Sequence, residues 1–111
     1  MSNHHRLLLA ATALFLLAAP PASAGGEKLS IPAARERAAG FAESTCAHDD
    51  SCAGSGVRNC RRLGARLALC RIFDHRKTTE QGNFTCTRLV RLALQPPSQS
   101  IRVTGVGDWD C

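Results

Sequence analysis

From its amino terminus the chain passes from a short polar lead, Ser2-Asn3-His4-His5-Arg6, into an apolar run from Leu7 to Ala19, and only then into segments whose apolar residues recur with a period. As a helix at about 1.5 Å per residue the run would span roughly 20 Å, short of a hydrocarbon core of roughly 30 Å. Pro20-Pro21 breaks it, and Ala22 and Ala24 then supply the small residues that signal peptidase accepts. The pattern predicts a signal peptide over residues 1–24, cleaved after Ala24. No cysteine precedes Cys46 and the lead carries no twin arginine, so ordinary Sec export is expected. No membrane span is expected after cleavage, because the next apolar stretch, Leu89 to Leu94, is interrupted by Arg91.

Residues 25–31 read as a flexible lead. Ser30 can then cap a helix with Pro32 in its first turn, where the missing N–H is tolerated. Ile31, Ala34, Ala38, Phe41, Ala42 and Thr45 fall at helical intervals on one side, which predicts a helix over residues 32–44. Residues 47–59 carry turn chemistry without an apolar period and read as a loop tethered by Cys52. A strand is expected over residues 65–73, followed by an exposed polar connection over 74–83. Phe84, Cys86, Val90, Leu92 and Leu94 then share one parity of a second strand, broken only by Arg88. Residues 95–99 turn the chain into a third strand at Ile101 and Val103, with Gly105 and Gly107 permitting a bulge before Trp109. The expected fold is α+β: one N-terminal helix on a three- to four-stranded antiparallel sheet, forming a single domain over residues 32–111.

A chain of this size buries little apolar surface, and beyond the leader Phe41, Phe73, Phe84 and Trp109 are its only aromatic residues. Cysteine changes the picture. Cys46, Cys52, Cys60, Cys70, Cys86 and Cys111 all follow the leader, and an even number in a short exported chain is the pattern of a disulfide framework. Structural zinc sites use close pairs, whereas 5, 7, 9, 15 and 24 residues separate successive cysteines here. Neither a metal nor a cofactor is expected, and His48, Asp49 and Asp50 read as polar turn residues. Spacing leaves the pairing open. Cys70 and Cys86 would lie nearly opposite if Phe73 started a hairpin against Phe84, and Cys111 is placed to tie down the C-terminal strand.

Lys and Arg outnumber Asp and Glu by 14 to 9, a formal net charge of +5, and loss of Arg6 with the leader leaves about +4. Arg58, Arg61, Arg62, Arg66 and Arg71 form a basic stretch without stacking aromatics beside it, the composition of a solvated sheet edge, so nucleic acid is not the expected partner. His48 and His75 with Lys77 are the only candidates for acid–base work, in a small basic ribonuclease-like hydrolase. They stand in separate turn-rich segments, and no G-x-S-x-G occurs. These features favour a secreted, disulfide-stabilised binding or interaction module, with an extracellular or envelope protein or ligand as partner, over an enzyme.

The stretch Cys60-Arg61-Arg62-Leu63-Gly64-Ala65-Arg66-Leu67-Ala68-Leu69-Cys70, continued by Gly82, Cys86 and Cys111, resembles small secreted cysteine-rich proteins of high-GC actinobacteria and their relatives. In these a helix precedes a C-R-R-L-S-x-x-x-V-x-C strand and a cysteine-bearing hairpin; Gly64 stands where that pattern favours Ser. The likeness spans about residues 32–111. It implies a bacterial source, export, disulfides and an α+β fold, and adds nothing about mechanism, since such proteins have no known activity. In such a host the sequon Asn83-Phe84-Thr85 is a chance occurrence.

Overall fold

The computed structural model describes residues 28 to 96 and 99 to 111. The expected signal peptide, with Ala22 and Ala24, lies outside the described residues, as do Gly25, Gly26 and Glu27. Helix α1 (Ile31–Ala47) is followed by strands β1 (Cys52–Gly64), β2 (Leu67–Thr78), β3 (Gly82–Gln95) and β4 (Ser100–Val106). The strands form one antiparallel meander in the order β1-β2-β3-β4, with the helix laid on one face. The α+β expectation holds in its four-stranded form.

The helix begins as its sequence dictates. Ser30 Oγ accepts the Ala33 N–H at 3.2 Å, Pro32 occupies the first turn, and Leu29 lies buried just before the cap. The described part of the expected flexible lead is therefore docked: Leu29 is only 1% exposed, its N–H donates to Ala65 O at 2.8 Å, and Ile31 is already helical. Ala34, Ala38 and Ala42, four residues apart, are fully buried against Cys70, Ile72, Val90, Leu92 and Leu94. Alanine allows this helix to approach closely, and Cys70 Sγ lies 4.0 Å from Ala34 O. Two arginines on the helix reach the two edge strands: Arg35 Nη2 donates to Val57 O and Arg37 Nε to Ile101 O.

The expected loop at 47–59 is overturned. Most of it is β1, paired with β2 from Cys52 opposite Arg76 to Gly64 opposite Leu67. Its glycines and small polar residues hid the strand, because they answer large residues across the ladder. Gly56 faces Phe73 with the ring across it, so a Cβ there would stand 2.7 Å from the Phe73 ring. The exposed connection expected at 74–83 shrinks likewise: β2 runs to Thr78 and pairs with Gly82, leaving three residues to turn the chain, with Gly82 at φ +76° closing the turn. This longer hairpin puts Phe73 opposite Thr87 and Cys70 opposite Val90, so the expected proximity of Cys70 to Cys86 does not occur.

Three disulfides close the fold. Cys46–Cys52 ties the end of the helix to the start of β1, and Cys60–Cys70 joins directly opposed residues of β1 and β2. Cys86–Cys111 fastens the C-terminal tail beside β3, where Thr87 and Asp110 exchange backbone hydrogen bonds. The bulge expected near Gly105 is present: Arg91 faces Gly105 while Leu92 faces Val103. Among the described residues no helix is long and apolar enough to cross a membrane.

Candidate functional site

The alternation of β2 sorts its side chains into two sets. Ala68, Cys70, Ile72 and Asp74 point under the helix and are buried, and Arg76 follows them on the same side. Leu67, Leu69, Arg71, Phe73, His75 and Lys77 point from the other face, which no element of the described structure covers. The ladder aligns neighbours from β1 and β3 with them. Arg61, Leu69 and Arg91 form one row across three strands, Asn59, Arg71 and Leu89 the next, and Gly56, Phe73 and Thr87 the third. Two side chains engage the Phe73 ring: the Arg58 guanidinium lies 5.2 Å from its centroid and the His75 ring 4.9 Å. Arg71 Nη1 donates to Thr87 Oγ1, and His75 Nδ1 is hydrogen-bonded to Thr85 Oγ1 at 2.8 Å.

The covered side carries a separate polar cluster where the helix ends. Asp74, 2% exposed, is paired with Arg76 at 3.1 Å, and the same guanidinium holds Asp49 at 3.0 Å. Arg76 and Arg88 both lie against the Trp109 ring, 5.1 and 4.3 Å from its centroid, and Arg88 Nε donates to Gly107 O. The cluster joins helix end, sheet and C-terminal tail. Beside it a cleft of about 630 Å³ opens between the helix end and β1, with Glu43, Asp49 and Asp50 in its wall.

The hydrolase candidates are not brought together. His48 caps the helix, and its Nδ1 donates to Ser44 O at 2.8 Å, on the covered side. His75 and Lys77 project from the opposite face of the sheet, where His75 is hydrogen-bonded to Thr85 rather than to any partner shared with His48. The physical reason is parity: His75 is one residue from the inward-facing Asp74, and the segment expected to loop freely is a strand. Asp49 accepts the Ser51 N–H and hydroxyl at 3.0 and 2.8 Å. Among the described residues no cluster of three or more His, Cys, Asp or Glu side chains is arranged to hold a metal ion.

The Ser51 hydroxyl, followed by the Ser51 N–H, holds the Asp49 carboxyl below the usual aspartate range; partial burial opposes this, and Arg76 adds a weaker pull downward. A carboxyl depressed on folding stabilises above its unfolded value of roughly 4, and that contribution is lost as pH falls through the folded value. Ser51→Ala is therefore expected to raise the Asp49 pKa, and to raise it more than Arg76→Gln does. Carboxyl-carbon NMR titration reads both shifts, and the reverse order would show that the ion pair dominates.

The uncovered face was only half legible in the sequence. The parity of Leu69, Arg71, Phe73, Leu89 and Arg91 was available, but Arg61 joins them only because β1 is a strand. Comparisons with protein-family models, with curated proteins and with solved structures find no match to this chain.

Proposed function

We propose that this protein is an exported binding module that meets its partner with the sheet face opposite the helix. The observation that carries the reading is the contrast between the two faces. One is covered by helix and tail except at its margins, where a cleft opens beside the helix end and Val106, opposite Val90, is exposed; the other leaves Leu67 and Leu89 exposed by 38% and 37% among Arg61, Arg71 and Arg91 with no element over them. A sheet presenting apolar and guanidinium groups in register suits recognition, since the paired strands leave little backbone ordering to oppose binding. Three disulfides in so small a domain accord with an oxidising compartment, and the leader read over residues 1–24 supplies the route there. The partner is an extracellular or envelope component.

The test is retention of the protein on the envelope fraction of the cells that make it. Leu89→Asp, on the uncovered face, is expected to lower retention at least tenfold, the effect of about 1.4 kcal/mol at an interface. Glu36→Lys, on the exposed side of the helix, is expected to leave it unchanged. Loss with the helix variant and none with Leu89→Asp would move the binding surface to the other side of the molecule.

A further inference from the structure

We infer that the uncovered sheet face docks on a bilayer displaying anionic phospholipid headgroups, an inference that rests on the reading of that face as the binding surface. Charge complementarity is the first ground. Arg61, Arg71 and Arg91 stand within two adjacent rows of β1, β2 and β3, Arg58 lies over Phe73 beside them, and Arg102 is opposite Ala93 on β4. No carboxylate shares the three rows of β1, β2 and β3; Asp110 stands at their margin, opposite Thr87. The acids Glu36, Glu43, Asp49 and Asp74 belong to the helix and to the side it covers. On that side they stand among Arg35, Arg37, Arg76 and Arg88, so it is on the outward face that arginines stand without carboxylates to offset them.

The apolar groups on that face decide which anion fits. Leu69 lies directly between Arg61 and Arg91, and Leu89 stands opposite Arg71. A surface alternating leucine with arginine matches the headgroup zone of a bilayer, where guanidiniums take phosphate oxygens in pairs and apolar side chains reach the acyl boundary. A nucleic acid asks for something else, namely free aromatic platforms for its bases. Phe73 is the only aromatic of the three rows and is already engaged by Arg58 and His75, while Trp109 is held on the other side between Arg76 and Arg88. With no described helix long and apolar enough to cross, the association is peripheral: the sheet lies on the membrane and the helix faces the water.

The experiment uses the oxidised protein purified from the producing cells and vesicles of phosphatidylglycerol mixed with phosphatidylcholine, read by co-sedimentation. Partition into the mixed vesicles and none into pure phosphatidylcholine is expected. Arg61→Gln and Arg91→Gln should each weaken it about fivefold, the effect of one cation near an anionic surface. Leu89→Ser should weaken it further at raised salt, whereas Lys28→Gln, a charge loss outside this face, should not. Intact disulfides and unchanged Trp109 fluorescence verify that each variant is folded. No partition, or partition indifferent to Arg61 and Arg91, overturns the inference; so does equal binding to heparin or a single-stranded oligonucleotide that ignores Leu89→Ser, which would make the partner a soluble polyanion. If vesicles fail while envelope retention still depends on Leu89, the lipid inference falls and the binding face stands; if both fail, both fall.

Discussion

The double variant Cys86→Ala/Cys111→Ala is expected to lose about 3 kcal/mol of stability and to release Trp109 from its two arginines. The bridge closes the longest loop of the three, with a sequence separation of 25, and restricting an unfolded loop of that length stabilises the folded chain by about 3.5 kcal/mol. Small domains have roughly 5–15 kcal/mol in all, and this one has a core built largely from alanine and medium-sized aliphatic residues. At about 4–8 °C per kcal/mol for a chain of this size, the midpoint should fall by roughly 12–24 °C. Trp109 is the only tryptophan, so its fluorescence reports the tail directly and thermal unfolding can be followed at the same residue. Cys46→Ala/Cys52→Ala, which opens a separation of only 6, is expected to cost about 2 kcal/mol and to leave the Trp109 signal unchanged before unfolding. Equal losses in the two variants would show that the staples act through native packing rather than through chain entropy.

Arg76→Leu is expected to cost about 3–5 kcal/mol, the effect of leaving a buried carboxylate without its cation. Asp74 is 2% exposed and the Arg76 side chain 18%, so water replaces the lost partner poorly. The pair is also imperfectly satisfied, because Asp74 Oδ1 and Arg76 Nε, both buried, make no hydrogen bond. From that follows the opposite expectation for the double change. Asp74→Leu/Arg76→Leu removes both charges from the covered side and should recover most of the loss in urea unfolding. The recovery should remain incomplete, since Arg76 also holds Asp49 at the helix end and lies against Trp109. A double variant as unstable as Arg76→Leu alone would show that these two further contacts, and not the buried carboxylate, account for the arginine.

Most of this architecture could be read from the chain where one physical rule acted alone. Ser30 and Pro32 marked the start of the helix, and the four-residue spacing of Ala34, Ala38 and Ala42 marked its buried side. The parity of Val90, Leu92 and Leu94 fixed the inward face of β3. Legibility failed where a pairing had to be known first. β1 carries no apolar alternation, because Gly56 makes room for the Phe73 ring on the neighbouring strand and Cys60 is committed to its bridge. The hairpin between β1 and β2 turns at Ala65 and Arg66, neither of which has the positive φ that an Asn-Gly turn would announce. Its carbonyls are instead met from afar, by the N–H groups of Leu29 and Leu94. The polar stretch from Asp74 to Thr78 read as a loop for the same reason: its inward members answer charges at the helix end rather than the apolar core. The uncovered face inherited these gaps, since its rows exist only once β1 is in register with β2. The candidate histidines illustrate the converse, two residues of suitable chemistry that the sheet holds apart.

The proposed function requires that the chain leave the cytoplasm, and the fold that its six cysteines pair locally along the meander. Non-reducing peptide mapping by mass spectrometry of the protein recovered from outside the cytoplasm tests this most directly. It is expected to show Cys46 bound to Cys52, Cys60 to Cys70 and Cys86 to Cys111, on a chain that begins at Gly25. Free thiols in the native protein, a different pairing, or an intact leader on a protein retained inside the cell would contradict it.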